Sequence, residues 1–293
     1  MTGDQRTRRK ANSQLHDGVR CGRIVYTNDL PLYAAFDAGA VEFPGALYSA
    51  VPTRLNLEVI RGNLDMGPMS AAYYARHADE LMLIDGPCVG ARDYARSVVL
   101  ISPTAPHLLD GAEIAVTKES ATARALLQIL LERRYGVRAA FAATDDTMYA
   151  AQMHQPTLVI GDQAIDARER FDSANCYDLS HLWHEWTEAD MVFAVWVMRR
   201  DSYERQPKAL DAAVAALALA QAWGEEHLGE VVARAQQIKA RPEGFYEAYY
   251  TDALNFHLDV SARAGLARFI AEMDAVGLLP GVLRGPEVVN VAS

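Results

Sequence analysis

Residues 22–33 read GRIVYTNDLPLY and join an apolar segment to a turn and then to a second apolar segment. The first part, RIVYT at 23–27, is rich in the β-branched and aromatic residues that favour strands. Asn28 and Asp29 follow, directly before a Leu-Pro pair. Asn, Asp and Pro together are typical of turns, because Asn and Asp side chains bond nearby backbone groups and Pro fixes its own φ. The stretch therefore predicts a buried strand that ends in a polar turn before a helix.

The same strand pattern returns along the first two thirds of the chain. Apolar, β-rich runs occur at LDMGPM (64–69), LMLI (81–84), SVVLIS (97–102), EIAVT (113–117), TLVIG (157–161) and MVFAVWVM (191–198). Helical patterns separate them: four leucines of ATARALLQILLERRYG (121–136) share one helix face, and Gly136 is placed to end that helix. This alternation predicts an α/β fold with mainly parallel sheets.

The last third of the chain has a different pattern. From Lys208 onward strand signals become rare, and helical periodicity continues to Leu279. Four segments have this periodicity, namely KALDAAVAALALAQAW, GEVVARAQQIK, FYEAYYTDALNF and AGLARFIAEMDAVG. The predicted order is therefore a series of βα units followed by a helical tail.

Composition narrows the classes of partner. The chain has 293 residues, 51% of them hydrophobic, which is enough for a sizeable core in two lobes. Its 38 acidic side chains outnumber 28 basic ones, for a formal charge of -10. A nucleic acid or an anionic membrane would need clustered positive charge, so both are disfavoured as partners. An anionic ligand would need local compensation of its charge.

The chain ends and the cysteines predict a cytoplasmic protein. Residues 1–20 carry charge without an apolar run, which predicts a disordered leader rather than a secretory signal. The longest apolar-rich stretch, 212–223, is shorter than the about 20 residues that a membrane-spanning helix needs. Cys21, Cys88 and Cys176 form no CxxC pair and have no His at metal spacing, so we expect buried, unpaired thiols.

Four predicted strands end in a short polar residue before a helix. They lie in VYTNDLP (25–31), MGPMSAAYYA (66–75), AVTKESATARALL (115–127) and LVIGDQAI (158–165). In open α/β sheets, ligands lie beyond the carboxyl ends of strands, where helix N-termini present unpaired N–H groups. The candidate ligand-binding residues are Asn28, Ser70, Ser120, Thr122 and Asp162.

Each of these positions also has a purely structural explanation. Ser70, Ser120 and Asp162 are all placed to cap a helix. Asn28 can serve the turn alone. From the residues by themselves, capping and turn formation are at least as well supported as ligand binding.

Common enzyme motifs are absent from the sequence. There is no GxSxG, no GxxxxGK[ST], no GxGxxG after a strand and no HExxH. His181 and His184 in DLSHLWHEW have only two residues between them and no third ligand nearby, so a surface position is favoured over a metal site. What remains is a pocket without a cofactor, lined by Asn, Ser, Thr and backbone amides.

Several segments, taken in order, resemble the chorismate dehydratases of the futalosine route to menaquinone. The resemblance rests on VYTNDLPLY, the run VPTRLNLEVIRGNLDMGPMSAAYYARHADELMLI (51–84), RSVVLIS, TKESATARALLQILLERRYG, LVIGDQAI and YDLSHLWHEWTEADMVFAVWVMRRD (177–201). It implies the two-lobed α/β fold of type II periplasmic binding proteins, with two crossing strands and a helical C-terminal tail. It also implies a cytoplasmic enzyme that needs no metal and no organic cofactor.

The resemblance implies a reaction on a small anionic substrate. Chorismate would bind between the lobes and lose water to give 3-[(1-carboxyvinyl)oxy]benzoate. A proton would leave the ring carbon that bears the ether, the neighbouring hydroxyl would depart, and aromatisation would drive the step. In one proposal for the family the substrate's own enolpyruvyl carboxylate is the base, so that the protein mainly holds a reactive conformer and assists departure of the hydroxyl.

The resemblance also implies roles for single residues. The family's YLN motif puts an asparagine at Asn28 and its SV motif puts a serine at Ser97, and we expect both to be catalytic. The expected substrate-binding residues are Ser70, Ser120 and Thr122, with Asp162 and Arg96 as further candidates.

Two segments depart from the family pattern. GARDYARSVVL replaces a Gly-rich segment before Ser97, and TEADMVFAVW replaces Thr-Gly-Leu-Pro before the second crossing strand. The first places Arg96 beside the expected pocket, where a guanidinium can bind a carboxylate through two hydrogen bonds. An Arg that faces solvent is the equal alternative.

We expect lobe 1 to comprise residues 21–99 and 198–293, and lobe 2 to comprise residues 100–197. SVVLIS and VFAVWVM would then be the two crossing strands.

Two other functions fit this architecture. The sibling enzyme that makes 1,4-dihydroxy-6-naphthoate usually begins with a Ser-Pro-Cys-Pro-Asn-Asp type of segment, of which VYTNDLP shares only Asn-Asp. A non-catalytic binder of a small carboxylate would use the same two lobes, but such receptors usually carry a signal peptide or a lipobox cysteine. The dehydratase is favoured because YARHADEL (74–81) fits it closely.

Overall fold

Two β-sheets connected by helices make up the structure, a computed structural model that describes residues 18–119, 121–279 and 288–289. The strands are β1 (Val19–Ile24), β2 (Gly45–Ala50), β3 (Met66–Ser70), β4 (Leu81–Ala91), β5 (Val98–Ile101), β6 (Glu113–Thr117), β7 (Ala140–Thr144), β8 (Thr157–Ile160), β9 (Cys176–Asp178), β10 (Met191–Arg199), β11 (Asn255–His257) and β12 (Val288–Val289). The helices are α1 (Leu30–Asp37), α2 (Pro52–Ile60), α3 (Ala71–Arg76), α4 (Ala121–Ile129), α5 (Thr147–Gln152), α6 (Gly161–Arg170), α7 (Leu179–Thr187), α8 (Arg200–Arg205), α9 (Pro207–Glu226), α10 (Leu228–Ile238), α11 (Phe245–Ala248) and α12 (Val260–Ala275).

The larger sheet has the strand order β11-β4-β10-β3-β1-β2, and β12 also pairs with β4. β1 runs parallel to β2 and β3, whereas β10 runs antiparallel to both of its neighbours, β3 and β4. In the pairing of β10 with β3, Ala194 lies opposite Ser70. Nearly every residue of β10 is buried, which explains the continuous apolar run in this segment.

The smaller sheet has the order β7-β6-β8-β5-β9. β6 is parallel to β7 and β8, and β5 is antiparallel to β8 and β9. The predicted α/β fold is confirmed, and each of the seven predicted strands overlaps an observed one. The sequence missed β2 and β7 because they are edge strands with many exposed or half-exposed residues, so their apolar pattern is weak.

Two connecting segments carry the chain between the sheets. Residues 92–97 lead from β4 to β5, and residues 179–190 lead from β9 back to β10. The two strands that were expected to cross, SVVLIS and VFAVWVM, each pair within one sheet only. The expected lobe boundaries at 99 and 198 lie within β5 and β10.

One buried carboxylate ties the two connectors together. Asp178, the last residue of β9, is 3% exposed. Its Oδ1 and Oδ2 accept hydrogen bonds from the backbone N–H groups of Ala95 (3.3 Å) and Arg96 (2.7 Å) in the first connector. Its Oδ1 also accepts from the N–H groups of Ser180 (3.1 Å) and His181 (3.4 Å), which begin α7. The same side chain therefore caps a helix and holds the two crossings side by side.

The helical tail is confirmed, with one strand inserted. Long helices α9, α10 and α12 follow the predicted periodicity. The segment predicted as one helix, FYEAYYTDALNF, instead ends in β11, where Asn255 pairs with Gly90 of β4. The open edge of β4 offers backbone partners there, and such pairing outweighs local helix propensity.

The cysteines and helices agree with the composition. Cys21 and Cys88 are buried and Cys176 is half-buried, and all three are free thiols. None of the helices within the described residues combines the length and apolar character needed to span a membrane. Positions 1–17 of the expected leader lie outside the described residues.

Close backbone packing sets the position of α1. Tyr33 of α1 donates its hydroxyl to the carbonyl oxygen of Gly22 in β1 at 2.9 Å, and Trp196 of β10 donates its indole N–H to the Tyr33 hydroxyl at 3.0 Å. On the other side, Gly224 of α9 lies against the carbonyl group of Pro31. A Cβ atom at position 224 would overlap that carbonyl oxygen, so only glycine allows α1 and α9 to approach this closely.

Gly224→Ala should destabilise the protein by about 1–3 kcal/mol, because the added methyl group must push two helices apart. Gly229→Ala is the matched control: Gly229 lies in the neighbouring helix α10 and has no atom near the position of a Cβ. That control should be neutral or slightly stabilising, since Ala has the higher helix propensity. Urea unfolding of the three proteins measures the difference, and equal midpoints for the two variants would contradict the packing described.

The turn after β1 is closed by a second buried carboxyl group. Thr27–Asp29 form one turn of 3-10 helix, and Oδ2 of Asp29 accepts a hydrogen bond from the backbone N–H of Ile24 at 3.1 Å. Asp29 is 1% exposed, and its Oδ1 has no partner among the described residues. Burial raises the pKa of Asp29 to about 8.

Stability should therefore fall as pH rises because of Asp29. Its carboxyl group holds a proton up to about pH 8 in the folded chain but only to about pH 4 in the unfolded chain, so folding takes up a proton between these values. Asp29→Asn cannot ionise. We expect the thermal midpoint of the unchanged protein to drop relative to that of Asp29→Asn between pH 5 and pH 8, and parallel curves would exclude this contribution.

Candidate active site

A small cavity of about 100 Å³ lies at the junction of the two sheets. The larger sheet and its helices contribute one side of the wall, the smaller sheet contributes the other, and the first connector contributes a residue between them. The polar side chains that line it are Tyr26, Asn28, Ser70, Ser97, Glu119 and Thr122. The rest of the wall is mostly apolar, with Ile24, Phe193 and Leu254 among its members.

Asn28 contributes an amide side chain to the cavity wall. It is half-buried in the turn after β1, and its Oδ1 is buried with no hydrogen-bond partner among the described residues. The turn is held by the Asp29 carboxyl group and by Tyr250, whose hydroxyl donates to the carbonyl oxygen of Thr27 at 2.8 Å. A buried acceptor without a partner is costly unless a ligand or water satisfies it, so this amide is placed to bind a ligand.

Ser97 lies beside the first crossing, directly before β5. Its side chain is buried, its hydroxyl donates to the carbonyl oxygen of Ala95 at 3.3 Å, and the Tyr249 hydroxyl is a second neighbour of that hydroxyl. Its own carbonyl oxygen accepts from the backbone N–H of Gly161 at 2.8 Å, which fixes the serine against the start of α6. The preceding residue, Arg96, has a φ of 62°, a left-handed conformation that turns the chain into the cavity wall.

Ser70 lines the cavity and does not cap α3 through its side chain. It occupies the N-cap position, but no side-chain capping bond is formed there. Instead its hydroxyl accepts a hydrogen bond from Nδ2 of Asn56 at 3.2 Å, and its backbone N–H donates to Oδ1 of Asn56 at 3.2 Å. Asn56 thus orients a hydroxyl that still has a proton to donate into the cavity.

The hydroxyl of Thr122 is already engaged by the protein. It donates to the carbonyl oxygen of Phe193 in β10 at 3.0 Å and accepts from the backbone N–H of Ala72 in α3 at 3.1 Å. These bonds connect helix α4, which follows a strand of the smaller sheet, to two elements of the larger sheet. Thr122 therefore lines the cavity as a link between its walls, and its hydroxyl has little capacity left for a ligand.

Two further polar side chains line the cavity that sequence reasoning did not single out. The Tyr26 hydroxyl donates to Oε2 of Glu119, which joins the turn after β1 to the loop after β6. Burial raises the pKa of Tyr26, and the hydrogen bond to Glu119 raises it further, so the phenol keeps its proton. Their position in the sequence could have identified them. Tyr26 lies in VYTNDLP and Glu119 in AVTKESATARALL, two of the four segments in which a predicted strand ends before a helix.

Three of the predicted residues lie elsewhere or outside the described chain. Asp162 does not line this cavity and does not cap α6; its carboxylate accepts from the Thr27 hydroxyl at 3.2 Å and lies 3.6 Å from the Arg241 guanidinium. Arg96 lines a separate cavity that also contains Tyr94. It is not among the residues that line the cavity of Ser97. Ser120 lies outside the described residues.

The histidine pair is not arranged for a metal ion. His181 pairs with Asp93 at 2.6 Å and stacks on Tyr94 with ring centroids 4.0 Å apart. Within the parts of the chain that the structure describes, no group of three potential metal ligands occurs.

The cavity is suited to an oxygen-rich small molecule. It offers an amide, three serine or threonine positions, a phenol and one carboxylate, and the N-terminal turns of α4 and α6 border it at Ala121 and Gly161. Unpaired N–H groups at helix N-termini favour an anion. None of the described residues that line it is Lys, Arg or His. Full positive charge for a carboxylate must therefore come from outside this cavity.

Comparison with known proteins supports the resemblance seen in the sequence. A protein named chorismate dehydratase from Thermus thermophilus is 32% identical over 246 residues, which cover 78% of this chain and 86% of the relative. A protein named 1,4-dihydroxy-6-naphtoate synthase from the same organism is 26% identical over 271 residues, covering 89% of this chain and 96% of the relative.

Solved structures confirm the expected fold. The periplasmic aliphatic sulphonate-binding protein of Escherichia coli superposes with a TM-score of 0.63 and 13% identity, over 94% of each chain. At this identity the likeness concerns the fold alone, which is that of the periplasmic binding proteins. The family model described as "Menaquinone biosynthesis" matches residues 19–275. The chain belongs to this menaquinone-biosynthesis family.

Proposed function

We propose that the protein is a chorismate dehydratase, a carbon-oxygen lyase that converts chorismate to 3-[(1-carboxyvinyl)oxy]benzoate and water. Membership of the menaquinone-biosynthesis family and the 32% identity to a chorismate dehydratase support this reaction. The observation that carries the proposal is Asn28, which lines the cavity and whose buried Oδ1 has no hydrogen-bond partner among the described residues.

The chemistry asks for little from the protein. The C–H bond at the ether-bearing ring carbon and the C–O bond at the neighbouring carbon break, a ring double bond forms, and the proton and hydroxide leave together as water. The ring becomes aromatic, which provides the driving force. The main tasks are to hold the reacting conformer, to receive the proton and to assist the leaving hydroxyl.

The residues of the cavity can share these tasks. Asn28 accepts and donates hydrogen bonds through its free amide, and Ser97 presents a hydroxyl on the connector next to it. We assign substrate orientation and assistance to the departing hydroxyl to this pair. Ser70, oriented by Asn56, contributes a further donor to the bound substrate. With the substrate's enolpyruvyl carboxylate as base, no His-carboxylate pair is required.

Asn28→Ala should abolish dehydration of chorismate while the fold survives, because the amide is bonded by nothing else in the described chain. The purified protein is incubated with chorismate, and mass spectrometry follows the loss of one water. Thermal unfolding of the variant shows whether the fold is kept. Unchanged turnover by a folded Asn28→Ala protein would overturn the role of Asn28, and absence of product from the unchanged protein would overturn the reaction.

The neighbouring residue should give the opposite pattern. Asp29 is buried and holds the turn through the backbone of Ile24, and it does not line the cavity. Asp29→Ala should therefore destabilise the protein by about 1–3 kcal/mol and lower its thermal midpoint more than Asn28→Ala does. Folded Asp29→Ala should retain turnover. Both variants are measured by thermal unfolding and by initial rates. A stable but inactive Asp29→Ala protein would contradict this division.

A non-catalytic role and the sibling reaction remain distinguishable in solution. Thermal midpoints are measured with and without chorismate, and the solution is then analysed for product. Stabilisation by chorismate with no product would favour a binding protein over an enzyme. Conversion of a cyclic futalosine product in place of chorismate would favour the sibling enzyme. The chain is 26% identical to one relative with that name.

We also propose a cytoplasmic location and a two-lobed organisation that closes on the substrate. Three free thiols are in keeping with a reducing compartment. The pairing of strands supports lobes divided at residues 92–97 and 179–190 rather than within β5 and β10. Closure of such lobes would exclude water from the cavity between them.

A further inference from the structure

A second cavity, of about 400 Å³, adjoins the first on the side of α3 and α4. Ala121 lines both cavities. Asn56 lines the second cavity and is hydrogen-bonded to Ser70, which lines the first. The two cavities therefore share part of their wall.

The second cavity is the more positive of the two. Its described lining includes three basic side chains, Arg76, Lys118 and Arg124, and no acidic one. Lys118 is paired with Asp145 at 2.8 Å. The two arginines form no ion pair with any described residue. In a chain of formal charge -10, a concave surface with two uncompensated guanidinium groups is unusual and favours an anionic ligand.

Arg76 is held in a position that leaves its binding groups free. It ends α3, is half-buried, and donates Nε to the carbonyl oxygen of Leu278 at 3.2 Å. Its two terminal nitrogens make no hydrogen bond to any described residue. Burial and the charge of Arg124 lower the pKa of Arg76, and both residues line the same cavity.

Arg124 comes from the opposite side of the junction. It lies in α4, which follows the smaller sheet, and its guanidinium packs over the ring of Phe141 at 5.3 Å from the centroid. Both arginines line the same cavity, so their like charges repel, and an anion bound near both reduces that repulsion. Arginine is well suited to this, because its planar group binds carboxylate or phosphate through paired hydrogen bonds.

The first cavity lacks what the second supplies. Chorismate carries two carboxylates, whereas the described lining of the first cavity contains no cation and one carboxylate, Glu119. Arg96, the cation expected from the sequence, lines a different cavity. Arg76 and Arg124 are the uncompensated cations of the adjoining space.

We propose that this second cavity is an oxyanion-binding site in which Arg76 and Arg124 capture a carboxylate of the substrate beside the reaction cavity. The proposal that the ligand is the substrate rests on the proposed function. The proposal that an oxyanion binds between the two arginines does not, so the two are tested separately.

Inorganic phosphate tests the site without any turnover. Three full-length proteins are compared: the unchanged chain, the double variant Arg76→Gln/Arg124→Gln, and the control Arg138→Gln/Arg170→Gln. The control also removes two positive charges, and both of its residues are exposed and line neither cavity. Thermal midpoints are measured in sodium phosphate and in sodium chloride of equal ionic strength.

Phosphate should raise the midpoint of the unchanged protein and of the control by a few degrees when it exceeds its Kd about tenfold. It should not raise the midpoint of the double variant. Equal shifts in all three proteins, or no shift in any, would overturn the oxyanion site.

Steady-state kinetics with chorismate test the link to the substrate. In the double variant we expect KM to rise about tenfold or more, with kcat changed by less than about twofold, because charged hydrogen bonds that hold the ground state are lost. The control should keep the KM of the unchanged protein. Phosphate should compete with chorismate in the unchanged protein and lose this effect in the double variant.

Each result separates the two proposals. A phosphate effect on kcat without competition would assign the site to an effector and overturn its link to the substrate. An equal KM for the double variant and the control would do the same. If none of the proteins dehydrates chorismate, the proposed function fails, while the thermal measurement still decides whether the arginines bind an oxyanion.

Discussion

The arrangement of the two sheets depends on the hydrogen bonds to the Asp178 carboxylate. Four backbone N–H groups, two from each connector, donate to its buried carboxylate. The chain must pass between the sheets twice, and this carboxylate fixes both passages at one point. Ser97 is the last residue of the first connector, directly after Arg96, so its position in the cavity wall depends on the same bonds. A carboxylate is required because no neutral side chain offers two oxygen acceptors of equal strength.

β10 extends this constraint from the junction into the larger sheet. It begins where the second connector ends, and it brings Ala194 opposite Ser70 while Phe193 presents its carbonyl oxygen to Thr122. The segments that carry Ser70 and Thr122 are distant in sequence, and their contacts with β10 bring both to the cavity. The two sides are joined through engaged groups, such as Thr122 and the Tyr26–Glu119 pair, whereas Oδ1 of Asn28 has no partner within the described chain.

The sequence predicted those parts of the fold and site that follow from local pattern. Apolar runs located the central strands, and polar residues at strand ends located Asn28 and Ser70 on the cavity. Arg96 was expected either beside this cavity or facing solvent, and it lines a separate cavity; the left-handed backbone at this Asp178-bound residue has no local signal. Asp162 likewise found its partners, Thr27 and Arg241, across the fold. Contacts of this kind depend on tertiary packing, which no single segment encodes.

The position of β10 also sets the order in which the protein can fold during synthesis. In the sheet, β10 lies between β3 and β4 and pairs with both. It follows β4 in sequence by about 100 residues, or roughly 5–20 s of translation. All strands of the smaller sheet emerge within that interval. The smaller sheet can thus be complete on the ribosome while β3 and β4 still expose unpaired edges. During that stage those edges are open to pairing with other chains.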